Sequence, residues 1–139
     1  MLEDFLALSR ILTGVAPLDV GLGGQYVDRL MSSPWSVPVR QILHQFRGLT
    51  PGAGLPAQVQ QEIVDDDSLR PAVCQIVLLW YTSALRDNLG PTIALRYGNE
   101  QEYFSGLAWR IIGAHPPGLS GGYFGHWHYR PENEPAGSP

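Results

Sequence analysis

Apolar residues in this chain recur mainly at helical spacing, and breaks rich in Gly, Pro and Ser cut the pattern into segments. Leu2, Phe5, Leu8 and Leu12 share one face of a first helix over residues 2–12, which Thr13 and Gly14 end. Asp19 offers a side-chain oxygen at the start of a second helix reaching about residue 31, with Val20, Tyr26, Val27, Leu30 and Met31 available to the core. Gly21, Gly23 and Gly24 weaken that helix, because glycine loses more chain entropy than alanine when it becomes helical. Ser36 is the expected cap of a third helix over about 37–49, whose buried stripe is Val39, Ile42, Leu43 and Phe46. After the break at residues 50–54, Pro56 suits the first turn of a short helix ending near Val64.

Asp65, Asp66 and Asp67 read as a solvated junction. Ser68 is then the expected cap of a helix over about 69–86, with Pro71 tolerated in its first turn. Apolar residues from Ala72 to Trp80 run nearly all the way round it, the pattern of a central, buried helix. Residues 88–91 break the chain again, and 92–97 fits either extended structure or a helical turn. Asn99 and Glu102 have the spacing of a capping box for a last helix over about 100–112, which turns Tyr103, Leu107 and Trp109 or Ile111 inward before Gly113 stops it. The expected fold class is therefore all-α, a single irregular bundle of about five to six helices with an extended C-terminal tail.

That tail is the most unusual stretch of the chain. His115, Pro116 and Pro117 are followed by Tyr123, Phe124, His126, Trp127 and Tyr129 among glycines. Adjacent prolines cannot donate backbone hydrogen bonds and glycines add entropy, so no regular element is expected there. Yet each ring can bury about 150–250 Å². The rings should lie either on the body of this domain or on a second protein. The organisation read from this is a helical domain over 1–113, a partner-binding tail over 114–132 and a disordered terminus over 133–139.

A length of 139 residues suits one domain with its own core, and 16 Gly with 12 Pro put more of the chain than usual into connections. The net charge is −4, and the nine basic residues, all Arg, form no cluster that would track a phosphate backbone, so nucleic-acid binding is not expected. The single cysteine, Cys74, excludes an internal disulfide, Cys-x-x-Cys-His haem attachment and cysteine-rich metal sites; within its apolar run it reads as a small buried thiol. No stretch approaches the roughly 20 apolar residues of a membrane span. The acidic N-terminus does not resemble a signal peptide, which leaves a cytoplasmic protein or one whose leader has been removed.

Motifs that carry chemistry are weak. His126 and His128 project to one side only in extended structure, and a closed zinc site would need further ligands from His44, His115 or a carboxylate. Residues 118–122 come near a nucleophile elbow but lack the preceding strand. The acidic run 65–67 lacks the alternation and terminal Glu of a calcium loop, and no Gly-x-Gly-x-x-Gly follows a strand. No catalytic, cofactor-binding or metal-binding residues are assigned.

Three blocks carry a family resemblance: residues 5–14 (FLALSRILTG), residues 78–85 (LLWYTSAL), and Trp109 onward through Pro116, Pro117 and Gly118 to residues 122–127 (GYFGHW). In this order, over almost the whole chain, they resemble the small subunit of membrane-bound FAD-containing sugar and polyol dehydrogenases, the sorbitol dehydrogenase small-subunit family. The resemblance implies a non-catalytic subunit that binds and helps mature a flavoprotein of the glucose–methanol–choline type. It also implies twin-arginine export with that partner to the periplasm, and often a multihaem cytochrome c subunit in the complex. The FAD would reside in the partner and none in this chain. Many members carry a cysteine after the last helix, where this chain has Gly113, Ala114 and His115, so the association is expected to be noncovalent, with His115, Pro116, Pro117, Tyr123, Phe124, His126, Trp127 and Tyr129 as the contact residues. A free-standing binding or regulatory protein of the same fold is the alternative, and a small metalloenzyme using His115, His126 and His128 a third.

Overall fold

A computed structural model describes residues 1–90 and 94–113. The tail over 114–132, with all eight expected contact residues, and the terminus over 133–139 lie outside the described residues. Among those described, the order is α1 (Leu2–Thr13), α2 (Val20–Met31), α3 (Ser36–Arg47), α4 (Leu55–Val59), α5 (Arg70–Thr82), β1 (Ala84–Arg86), β2 (Leu95–Tyr97), α6 (Glu100–Phe104) and α7 (Leu107–Ile111). A π-helical turn, Gln60–Val64, continues α4 directly.

Local chemistry sets the first helices where the pattern places them. Glu3 and Asp4 lie in the first turn of α1 and Arg10 in its last, complementing the helix dipole, and Gly14 closes it in the left-handed region at φ 68°. The Asp19 carboxylate accepts the Leu22 N–H at 2.7 Å, satisfying one of the orphan donors of α2. Gly23 has a packing role, since a Cβ there would stand 2.7 Å from Leu6 Cδ2, so its absence lets α2 approach α1. Val20, expected in the core, is 58% exposed. The stripe of α3 is buried as read, but Ser36 is not its cap. Instead Ser33 Oγ accepts the Trp35 N–H and donates to the Leu30 carbonyl, a serine turn that delivers Trp35 into the core.

α5 is the centre of the fold, packed against α1, α3, α7, β1 and the π-helical turn. Its Trp80 lies between Phe5, stacked at 6.1 Å between ring centroids, and Tyr26, met edge-on at 5.0 Å. Ile76 and Leu79 are wholly buried beside them; such side chains each contribute about 1.5–3 kcal/mol of burial. Ser68 does not cap α5: Leu69 holds that position, and it is Asp66 that accepts the Ser68 backbone and hydroxyl hydrogens in the preceding turn. These bonds hold the Asp66 carboxyl below the usual range.

The largest departure from the expected fold comes at residue 83. α5 does not run to Arg86: it stops at Thr82, Ser83 turns left-handed at φ 60°, and the chain leaves as a strand. β1 pairs antiparallel with β2, Ala84 facing Tyr97 and Arg86 facing Leu95, so the fold is mostly helical with a small two-stranded sheet rather than purely all-α. Successive residues of a strand direct their backbone groups to opposite edges. The Gly98 N–H reaches the Ser83 carbonyl and the Asp87 N–H the Ala94 carbonyl on the β2 side. On the other side the buried Gln75 amide donates to the Ala84 carbonyl and accepts the Arg86 N–H, each at 3.0 Å, while Trp35 Nε1 donates to the Arg86 carbonyl at 2.9 Å. The lone polar residue in the apolar run of α5 thus substitutes for a neighbouring strand.

The last helix is also divided. Asn99 caps α6 by accepting the Glu102 N–H at 2.8 Å, but the chain breaks at Ser105 and Gly106 before α7. A Cβ on Gly106 would lie 2.6 Å from the Tyr81 carbonyl oxygen, so α7 docks on α5 through backbone contact.

Candidate partner-binding surface

One polar knot fixes the sheet and α6 against the helices. The Arg29 guanidinium donates to Glu102 Oε2 and to the Ser83 carbonyl, both at 2.9 Å, and to the Arg96 carbonyl at 3.0 Å. A single side chain on α2 thereby holds the end of α5, strand β2 and the first turn of α6. Glu102 does not complete the expected capping box by reaching back to the Asn99 backbone; its carboxylate is given to Arg29, and the residue is 5% exposed. Burial chiefly, with Glu102 nearby, pushes the Tyr26 hydroxyl well above its ordinary range, and that hydroxyl has no hydrogen-bond partner among the described residues.

Held in this way, the C-terminal part presents rings and aliphatic groups outward. Tyr103 meets Tyr97 edge-on at 5.8 Å and Trp109 at 5.5 Å between ring centroids, joining β2, α6 and α7 into one aromatic ridge. Trp109 is fixed by its indole N–H, which donates to the Tyr103 carbonyl at 3.0 Å. Tyr97 is 52% exposed, and Leu95 on the same strand is also exposed. Ile111 and Ile112 follow Trp109 and are 58% and 67% exposed, so of the two alternatives, Trp109 or Ile111, it is Trp109 that turns inward; Tyr103, Leu107 and Trp109 are half-buried. Strand β2 is also an open edge among the described residues, where no partner takes the Leu95 and Tyr97 backbone groups on the side away from β1. Apolar rings beside an open strand edge are features that protein interfaces use.

A groove of about 420 Å³ lies between the start of α2 and the α6–α7 junction. Leu18, Leu22, Trp80 and Leu107 supply its apolar surface, and Asp19, Gln25, Gln101 and Arg110 its polar rim. Elsewhere Cys74 is exposed on α5 rather than buried, since the buried sector of that helix is taken by Ala72, Val73, Gln75, Ile76, Leu79 and Trp80. His44 is exposed on α3, and no cluster of His, Cys, Asp or Glu among the described residues could hold a metal ion. No described helix is long and apolar enough to cross a membrane.

Two of the three resemblance blocks meet in the core. Phe5 from the first stacks on Trp80 from the second, and the Tyr81 hydroxyl donates to the Thr13 carbonyl at 3.3 Å. These blocks therefore bear on how the helices pack, whereas the contact residues assigned from the third lie outside the described residues. The chain matches no family model, no curated protein and no solved structure.

Proposed function

We propose that this chain is a non-catalytic accessory subunit that binds, matures and helps export a FAD-dependent sugar or alcohol dehydrogenase of the glucose–methanol–choline type. The reading rests on the sequence resemblance, and the observation that carries it furthest is the outward aromatic ridge of Tyr97, Tyr103 and Trp109 with Ile111 and Ile112 beyond it. This ridge leads directly into the segment that contains Tyr123, Phe124, Trp127 and Tyr129. In this reading the partner is contacted by the ridge residues and by the tail residues His115, Pro116, Pro117, Tyr123, Phe124, His126, Trp127 and Tyr129. Large aromatic anchors in desolvated pockets dominate the energy of many interfaces. The FAD belongs to the partner, a multihaem cytochrome c subunit completes the complex where one is present, and the assembly works in the periplasm.

The test is affinity purification of the tagged chain from its native host, with flavin absorbance of the co-eluting proteins recorded. The expected result is a flavoprotein that co-elutes with the intact chain and is lost from a variant ending at Gly113. Tyr97→Ser with Ile111→Ser should weaken recovery while leaving the circular dichroism spectrum unchanged. Recovery of the folded chain with no flavoprotein would favour the alternative, a free-standing binding or regulatory protein, and substrate turnover by the isolated chain would overturn the non-catalytic assignment.

A further inference from the structure

The groove between the start of α2 and the α6–α7 junction, about 420 Å³ in volume, is of a size that encloses a ligand, and neither the aromatic ridge nor the polar knot uses it. Leu18 and Trp80 line it although both are buried, and the half-buried Leu22 and Leu107 complete its apolar surface. Its rim mixes an acid, Asp19, two amides, Gln25 and Gln101, and a base, Arg110. An apolar bed with hydrogen-bonding groups at its edge suits Tyr and Trp, whose rings join an apolar body to a polar handle. A wholly aliphatic or wholly charged occupant would leave half of it unmatched.

The chain carries such an occupant close by. Leu107 and Arg110 are the groove residues of α7, and the chain leaves that helix through Gly113, three residues after Arg110, in the left-handed region at φ 66°. A left-handed residue at this place turns the backbone off the helix axis. Ten residues then separate Gly113 from Tyr123 in sequence, a contour of up to about 33–36 Å. The three helical steps back to Arg110 cover only about 4.5 Å. The reach is therefore enough to go out and return, and Gly118, Gly121 and Gly122 stand where the chain has to reverse. A tether of this length holds its end at an effective concentration on the order of 1 mM, so a contact with a Kd of about 0.1 mM between separate pieces would be about nine-tenths occupied within one chain.

We infer that in the free chain residues 123–127, with the rings of Tyr123, Phe124 and Trp127, fold back and seat in this groove. The docking concerns the chain alone and stands apart from the accessory-subunit reading, under which a flavoprotein has to draw the same rings out. Its test is amide hydrogen exchange of the full chain, with no other protein present, against the full chain carrying Tyr123→Ser, Phe124→Ser and Trp127→Ser. Amides over 21–25 and 105–110 should exchange about tenfold faster in the variant, the factor that nine-tenths occupancy sets, while those over 39–46 on α3 keep their rates. In the reverse direction, Leu22→Glu places a charge in the groove and should move the Trp127 indole N–H resonance to its position in the urea-unfolded chain. Both effects should be the same after dilution. Groove exchange rates left unchanged by the ring variant overturn the docking, as does a Trp127 resonance that Leu22→Glu does not move. An effect that fades on dilution overturns it too, by assigning the rings to a second copy. Should Leu22→Glu fail to fold, the ring variant, whose changes all lie beyond residue 113, still decides it. No flavoprotein enters this experiment, so its outcome is read separately from that of the affinity purification.

Discussion

Gly106→Ala tests how the C-terminal helices are attached. The added Cβ would stand 2.6 Å from the Tyr81 carbonyl oxygen and 3.3 Å from the carbonyl carbon behind it. Both are backbone atoms of the buried central helix, so no side chain can swing aside, and α7 must retreat by roughly 1 Å to restore ordinary contact. Overpacking of this kind typically destabilises by about 1–3 kcal/mol. With a urea m-value of about 2 kcal/mol/M, a loss of about 2 kcal/mol lowers the unfolding midpoint by about 1 M. Gly24→Ala supplies the opposite sign in the same experiment: it lies in a helix interior with nothing within 4 Å of its Cβ, so only the propensity gain of about 0.5–1 kcal/mol acts. Urea denaturation followed by circular dichroism measures both, and amide exchange over 100–111 reports whether the loss is confined to α6 and α7. A Gly106→Ala protein with the wild-type midpoint and unchanged exchange over 100–111 would refute the close docking on Tyr81.

Three further outcomes follow from the buried polar groups. Gln75→Leu leaves the Ala84 carbonyl and the Arg86 N–H without their partner, and at about 1–3 kcal/mol for each unsatisfied group it should lower the thermal midpoint clearly; an unchanged midpoint would show that the sheet edge does not depend on this amide. Glu102→Gln keeps an acceptor for Arg29 but removes the charge, and because the Arg29 side chain is 19% exposed the expected loss is about 1–3 kcal/mol, below that for a wholly buried pair. Tyr26 keeps its proton in the folded state above the pH near 10 where an unfolded tyrosine loses it, so its contribution is complete below about pH 10 and is lost as pH rises beyond. From pH 9 to 11 this amounts to roughly 1 kcal/mol. Tyr26→Phe should remove that part of the alkaline slope in urea titrations and, with no partner bond to lose, leave stability at pH 7 unchanged or raised.

The sequence by itself determined the elements whose causes are local. The spacing of Phe5 and Leu8, the Asp19 cap, the stripe from Val39 to Phe46, the stop at Gly14 and the Asn99 cap each act within a turn or two of the chain, and each stands in the fold where the pattern puts it. Tertiary structure decided what depends on neighbours distant in sequence. Residues 84–86 continue the apolar pattern of α5 and leave it only because β2, Trp35 and Gln75 satisfy the backbone of an extended strand there. Cys74 faces outward because Ala72, Val73, Gln75, Ile76, Leu79 and Trp80 occupy the buried sector of α5, and Ile111 and Ile112 are exposed on an α7 that docks on α5 through Gly106. The Arg29 knot was not legible as a charge pattern, since Arg29 and Glu102 stand 73 residues apart and are brought together by the packing of α2, the hairpin and α6. Short-range hydrogen bonding and periodicity are written in consecutive residues, whereas burial and the pairing of charges belong to surfaces that exist only once the chain has folded.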